Sequence, residues 1–185
     1  APIVESLKQL KLNVYVADPK TLGEGFETII EIGKITNTEY KAQILAKQAE
    51  DEIEAISKKV NVIPAEKRQK VFLEIWHDPL TTAGSGTYLD ELLTIAGGVN
   101  IANDTTRPYS IFSPEEVIKR NPDVIILTYM GEKNPANSVI KRFGWQEINA
   151  VKNNRIFSNI DPDLLLHPGP RVAQAIKEIY KRLYP

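Results

Sequence analysis

Lys70-Val71-Phe72-Leu73-Glu74-Ile75-Trp76 and, further along, Val124-Ile125-Ile126-Leu127 decide how this chain folds. Both are short β-branched and aromatic runs, and the second is uninterrupted apolar, as a parallel strand covered on both faces should be. Between them Thr87 to Ala96 carries apolar residues at helical spacing and stops at Gly97-Gly98. Ser113-Pro114-Glu115-Glu116 supplies an N-cap, a proline at the first helical position and two early acids, opening a short helix to Arg120. Strand, helix and strand in that order predict an α/β fold with a mostly parallel sheet flanked by helices.

The pattern continues downstream with a helix over 134–143, a short strand at Arg155-Ile156-Phe157 and a closing amphipathic helix from Arg171 to Leu183. Upstream, apolar positions from Ala42 to Val60 recur at threes and fours with no Gly or Pro before Pro64. A helix over 38–60 would reach about 33 Å at 1.5 Å per residue, enough to serve as a strut. Thr21 to Ile35 predicts another helix. Residues 3–12 predict a third, which leads into an expected strand at 14–17. A lone strand there would have unpaired edges, so an N-terminal part is expected ahead of Ala1.

The chain has 185 residues, of which 42% are hydrophobic and 25% charged, with 23 Lys and Arg against 24 Asp and Glu. That balance gives no electrostatic reason to expect nucleic acid or an anionic membrane as partner. Cysteine is absent. A disulfide scaffold, a thiolate zinc site, an iron–sulfur centre and a cysteine nucleophile are therefore excluded together. No apolar run approaches the roughly 18 to 20 residues of a membrane span.

Ligand sites of open α/β sheets lie beyond the carboxyl ends of the strands. Three segments qualify: Glu74 to Pro79 with the small-residue turn Thr81 to Gly86, then Tyr129-Met130-Gly131, then Asp161 to Pro170. Both histidines, His77 and His167, fall in them. An enzymatic reading, a small metal-dependent α/β hydrolase, would draw on His77, Asp78, Asp163 and His167. No two of these stand at a recognised ligand spacing, and no nucleophile elbow or phosphate loop is present, so no metal site is assigned. Ala83-Gly84-Ser85-Gly86 reads as a turn and N-cap rather than an anion loop. Trp145 reads as a packing residue.

Six blocks carry a resemblance: Trp76 to Pro79, Leu89 through Ile101, Ser113 to Val117, Asn121 to Ile126, Gly144 through Phe157, and Pro168 to Arg171. In that order they resemble the C-terminal lobe of class III substrate-binding proteins of ABC importers, the family that binds cobalamin, ferric siderophores and haem. The resemblance implies a non-enzymatic extracytoplasmic protein, periplasmic or held at the cell surface as a lipoprotein. It would need no cofactor beyond its ligand, a corrinoid or a similar metal chelate, with ferric siderophore or haem as the alternative. It divides the chain into residues 1–36 as a remnant of the N-terminal lobe, 37–62 as the interlobe helix and 63–185 as the C-terminal α/β lobe. The chain would thus be a truncated or processed form whose cleft has one wall.

Carried over by position, the ligand-contacting residues are Ile75, Trp76, Tyr109, Asp163, Leu164 and His167, with His77 and Tyr129 as further donors beside them. A planar chelate suits such a set, because aromatic and aliphatic faces supply area and one or two polar groups orient it. The family docks its membrane subunits through an acid near the start of the helix after the glycine turn. Gly86 occupies the aligned position, so docking would use Asp90 or Glu91, or is lost. Ten apolar side chains in residues 1–36, from Ile3 to Ile32, must be covered. Either the segment folds back on the strut or two chains pair into a homodimer, with strand 14–17 meeting its mate.

Overall fold

The computed structural model describes residues 2–128 and 135–185. It opens with three helices, α1 (Pro2–Gln9), α2 (Leu22–Ile35) and α3 (Glu39–Asn61). A 3-10 turn at Ala65–Lys67 precedes β1 (Lys70–His77), β2 (Leu80–Ala83), α4 (Tyr88–Ile95), β3 (Val99–Asn100) and β4 (Tyr109–Ile111). Then come α5 (Pro114–Arg120), β5 (Val124–Leu127), α6 (Pro135–Ile140), α7 (Asn149–Lys152), β6 (Ile156–Phe157), α8 (Pro162–Leu166) and α9 (Val172–Leu183). Among the described residues no helix is long and apolar enough to cross a membrane.

The sheet runs β4-β2-β1-β5-β6, with β3 beside the start of β1. β1 and β5 are parallel, Val71 opposite Val124 and Glu74 opposite Leu127. Successive side chains of a strand point to opposite faces, and here each face meets its own helices. Val71, Leu73, Val124 and Ile126 pack with Leu92 and Leu93 of α4 and Ile176 and Ile179 of α9. Phe72, Ile125 and Leu127 pack on the other face with Val117, Trp145 and Ile148. Two covered faces leave β5 no polar position, which explains its unbroken apolar sequence.

Leu80–Ala83 departs from expectation. This stretch, read as part of a turn, is a strand antiparallel to β1 and to β4, so the sheet is mixed. Small residues hid its alternation, yet Leu80, Thr82 and Ala83 are buried and Thr81 is half-buried. The expected strand at 14–17 is not formed, and residues 12–20 run without ladder partners. A strand needs a neighbour for its backbone groups, and these residues meet none among the described residues of the chain. The helix expected over 134–143 ends at Ile140, and the post-strand segment Asp161 to Pro170 contains a short helix, α8.

The helix predicted over 38–60 is present as α3, unbroken over 23 residues. α2 folds back against it, so part of the apolar N-terminal segment is covered within the chain. A Cβ on Gly33 of α2 would stand 2.5 Å from the Cβ of Ala42 on α3, closer than any side chain allows. Leu22 and Phe26 reach the main core. Ile3, Leu10 and Val16 remain 67%, 69% and 59% exposed.

Candidate functional site

β1 ends on the predicted pair Trp76 and His77, whose rings lie 4.9 Å apart and tilted by 39°. Trp76 is 44% exposed and His77 is exposed. Ile75 is half-buried and packs against the main core. The strand end is braced from below by Glu74 and by Arg142, the second of which no sequence pattern singled out. Glu74 is fully buried, and both its carboxylate oxygens accept from Arg142, at 2.7 and 2.6 Å. The Arg142 guanidinium lies 4.5 Å over the ring of Trp145, itself fully buried as expected. Two-pronged pairing and a stacked guanidinium fix direction as well as charge. The only hint in the sequence is a single acid inside an apolar strand.

From β2 the chain turns through Gly84 to the start of α4. Gly84 N donates to the carbonyl of Pro108 at 2.7 Å, which sets Tyr109 beside Ala83 in the sheet. A Cβ on Gly84 would meet the Thr105 hydroxyl at 2.0 Å and the Arg107 carbonyl at 2.8 Å. Thr87 caps α4 by accepting from Asp90 N. Asp90 accepts from Gly86 N at 3.1 Å and from the Asn100 side-chain amide at 2.8 Å. Asn100, 3% exposed, also donates to the carbonyl of Ala83. Glu91 accepts from the backbone N–H of Leu22 at 2.8 Å. Asp90 and Glu91 are thus both half-buried and bonded inside the chain.

These elements border an open cavity of about 680 Å³. One wall is the segment Ala17 to Lys20 with Thr28 and Ile32 of α2; the other is Gly86 to Leu89, Pro108 and Tyr109, closed by Leu165 to Pro168. Tyr109 is 59% exposed. Its charged lining residues, Asp18 and Lys20, pair with each other at 2.5 Å. Tyr88 adds a buried hydroxyl with no hydrogen-bond partner among the described residues, and burial, then the Glu91 charge, push its pKa up to about 12.

Of the predicted ligand residues, Tyr109 and His167 share this cavity. Asp163 and His167 share a neighbouring hollow of about 350 Å³ that runs to Arg171. Leu164 touches that hollow but is only 4% exposed and belongs to the core, because α8 turns it inward. Asp161 caps α8 by accepting from Asp163 N. Ile75, Trp76 and His77 stand at the β1 end and line neither space, and Tyr129 lies outside the described residues. Among the described residues no three of His, Asp and Glu gather where they could hold a metal ion. The set of His77, Asp78, Asp163 and His167 is therefore not assembled.

A family model described as periplasmic binding protein matches residues 5–163. An uncharacterized ABC transporter substrate-binding lipoprotein of Bacillus subtilis is 33% identical over 187 residues, covering 100% of this chain and 58% of that protein. A vitamin B12-binding protein of Vibrio parahaemolyticus is 25% identical, covering 95% of this chain and 62% of its own length. The chain thus spans about three fifths of these two relatives. The crystal structure of a possible iron-binding (periplasmic solute-binding) protein from Staphylococcus epidermidis superposes with a TM-score of 0.84 at 32% identity, covering 100% of this chain and 71% of that one. The chain belongs to the periplasmic binding protein family, in its class III branch.

Proposed function

We propose that this chain acts in an extracytoplasmic solute-binding component of an ABC importer, delivering a corrinoid or a similar metal chelate to membrane subunits. The reading takes residues 1–36 and 63–185 as parts of two lobes joined by the helix in 37–62. One observation carries it: the cavity of about 680 Å³ sets Tyr109 and His167 on a largely apolar lining whose one acid and one base neutralise each other. Such a wall suits a large, rigid ligand with apolar faces and few charges. A polyanionic siderophore would call for several unpaired cations, and among the described lining residues Lys20 is the only Lys or Arg.

Haem is the second reading, favoured by an exposed His167 at the end of α8 on the same cavity, where an imidazole could ligate iron. Equilibrium dialysis against cyanocobalamin, dicyanocobinamide, haemin and a ferric hydroxamate separates these cases. The corrinoid reading expects saturable binding of the first two. Haemin bound with a shifted Soret band that His167→Ala abolishes would favour haem, and no binding of any of the four would reject both.

A further inference from the structure

The two acids at the start of α4 divide their work between the walls of the cavity. Asp90 holds its own side, through Gly86 N at 3.1 Å and Asn100 at 2.8 Å. Glu91, the next residue, reaches across 69 positions of sequence to the other side, where its carboxylate accepts from Leu22 N at 2.8 Å. Leu22 is the first residue of α2, and the first amides of a helix have no partner within it. An acid there also meets the positive end of the helix dipole. The same turn is tied to the cavity wall: Lys20 N donates to Glu24 at 2.6 Å, and Lys20 Nζ pairs with Asp18. A continuous path therefore runs from the wall at 17–20, through the first turn of α2, to Glu91, along α4 to Asp90 and back to the opposite wall at Gly86.

We infer that Glu91 is a positioning residue for the cavity: bonded from α4 to the first amide of α2, it sets how far the wall at residues 17–20 stands from the wall at Gly86 to Leu89 and Tyr109. The contact stands alone in the fold, whereas its consequence for ligand rests on the chelate reading above. Leu22 and Phe26 add packing on the core, and a Cβ on Gly25 would sit 3.7 Å from Pro168. α2 thus stays seated when the bond is lost, and the change is confined to its first turn and the segment before it.

The test uses Glu91→Ala and Glu91→Gln, the second keeping an acceptor without the charge. Because the chain has no cysteine, spin labels at Ala17→Cys and Thr106→Cys report the wall separation directly. Glu91→Ala is expected to speed hydrogen exchange at Leu22 by about tenfold, as for loss of a helix cap, and to broaden the 17-to-106 distance distribution. Cyanocobalamin affinity should fall in step, with α3 and β1 protection unchanged and Glu91→Gln lying between Ala and parent. Unchanged exchange and unchanged distances in Glu91→Ala would overturn the inference. So would protection lost uniformly across α3 and β1, which marks a merely structural residue. A parent protein that binds no cyanocobalamin would reject the chelate reading, while exchange and distances still decide the positioning role.

Discussion

Glu74 and Arg142 form a two-pronged ion pair, at 2.7 and 2.6 Å, between a strand residue with no solvent exposure and a residue just past α6. With Trp145 under the guanidinium, the pair ties the segment after α6 to the carboxyl half of β1, two residues before Trp76.

Breaking that pair from one side should be costly. Arg142→Met leaves a buried carboxylate facing an apolar group, and removal of one partner of a buried pair costs about 3–5 kcal/mol. Urea denaturation should show a loss of that size for Arg142→Met and a smaller one when Glu74→Gln is added to it. Equal stability of parent and Arg142→Met would show that the pair is not formed.

Gly84 offers a second handle, one closer to the cavity. Its missing side chain makes room for the Thr105 hydroxyl and the Arg107 carbonyl, so Gly84→Ala must push the 105–108 loop outward. Overpacking of this kind typically costs about 1–3 kcal/mol. Thermal unfolding should register it, and Tyr109 should lose its register opposite Ala83, seen as faster amide exchange in β2 and β4.

Acid stability has a predictable sign. Hydrogen bonding to Arg120 holds the Asp104 carboxyl below its ordinary 3.8, and pairing first with Lys181 holds Glu178 below 4.5. A carboxyl depressed in the folded state contributes stability that is present above its unfolded pKa and is lost as pH falls through its folded value. The melting temperature should therefore drop below about pH 4. Asp104→Asn should flatten part of that drop, and an unchanged slope in this variant would show that the Arg120 contact contributes nothing.

How much of this was legible follows from where the information sits. The parallel strands and α3 were readable because two covered faces force an unbroken apolar run at Val124 to Leu127 and one covered face forces spacings of three and four at Ala42, Ala46 and Ala49. β2 was not, since Thr81, Thr82 and Ala83 carry the small polar character of a turn and are strand only because β1 and β4 flank them. Val14 to Val16 differ in the opposite sense: local propensity for strand is strong, but no neighbour among the described residues is at hand to pair with. The Glu74–Arg142 pair, 68 residues apart, and the Glu91–Leu22 bond, 69 apart, leave no local trace of the partner, only a lone acid inside the apolar run of β1. The resemblance carries ligand roles to Tyr109, His167 and Leu164; one cavity is lined by the first two, whereas α8 turns Leu164 toward the core, a packing outcome with no local signature.

The central claim is that Tyr109 and His167 belong to one chelate-binding cavity, and isothermal titration of cyanocobalamin into the parent and the Tyr109→Ala, His167→Ala double variant tests it most directly. The account predicts one-to-one binding, micromolar or weaker because these walls bury only part of so large a ligand, and a loss of at least tenfold in the double variant with thermal stability unchanged. Binding of equal strength in both proteins, or none in the parent, would contradict it.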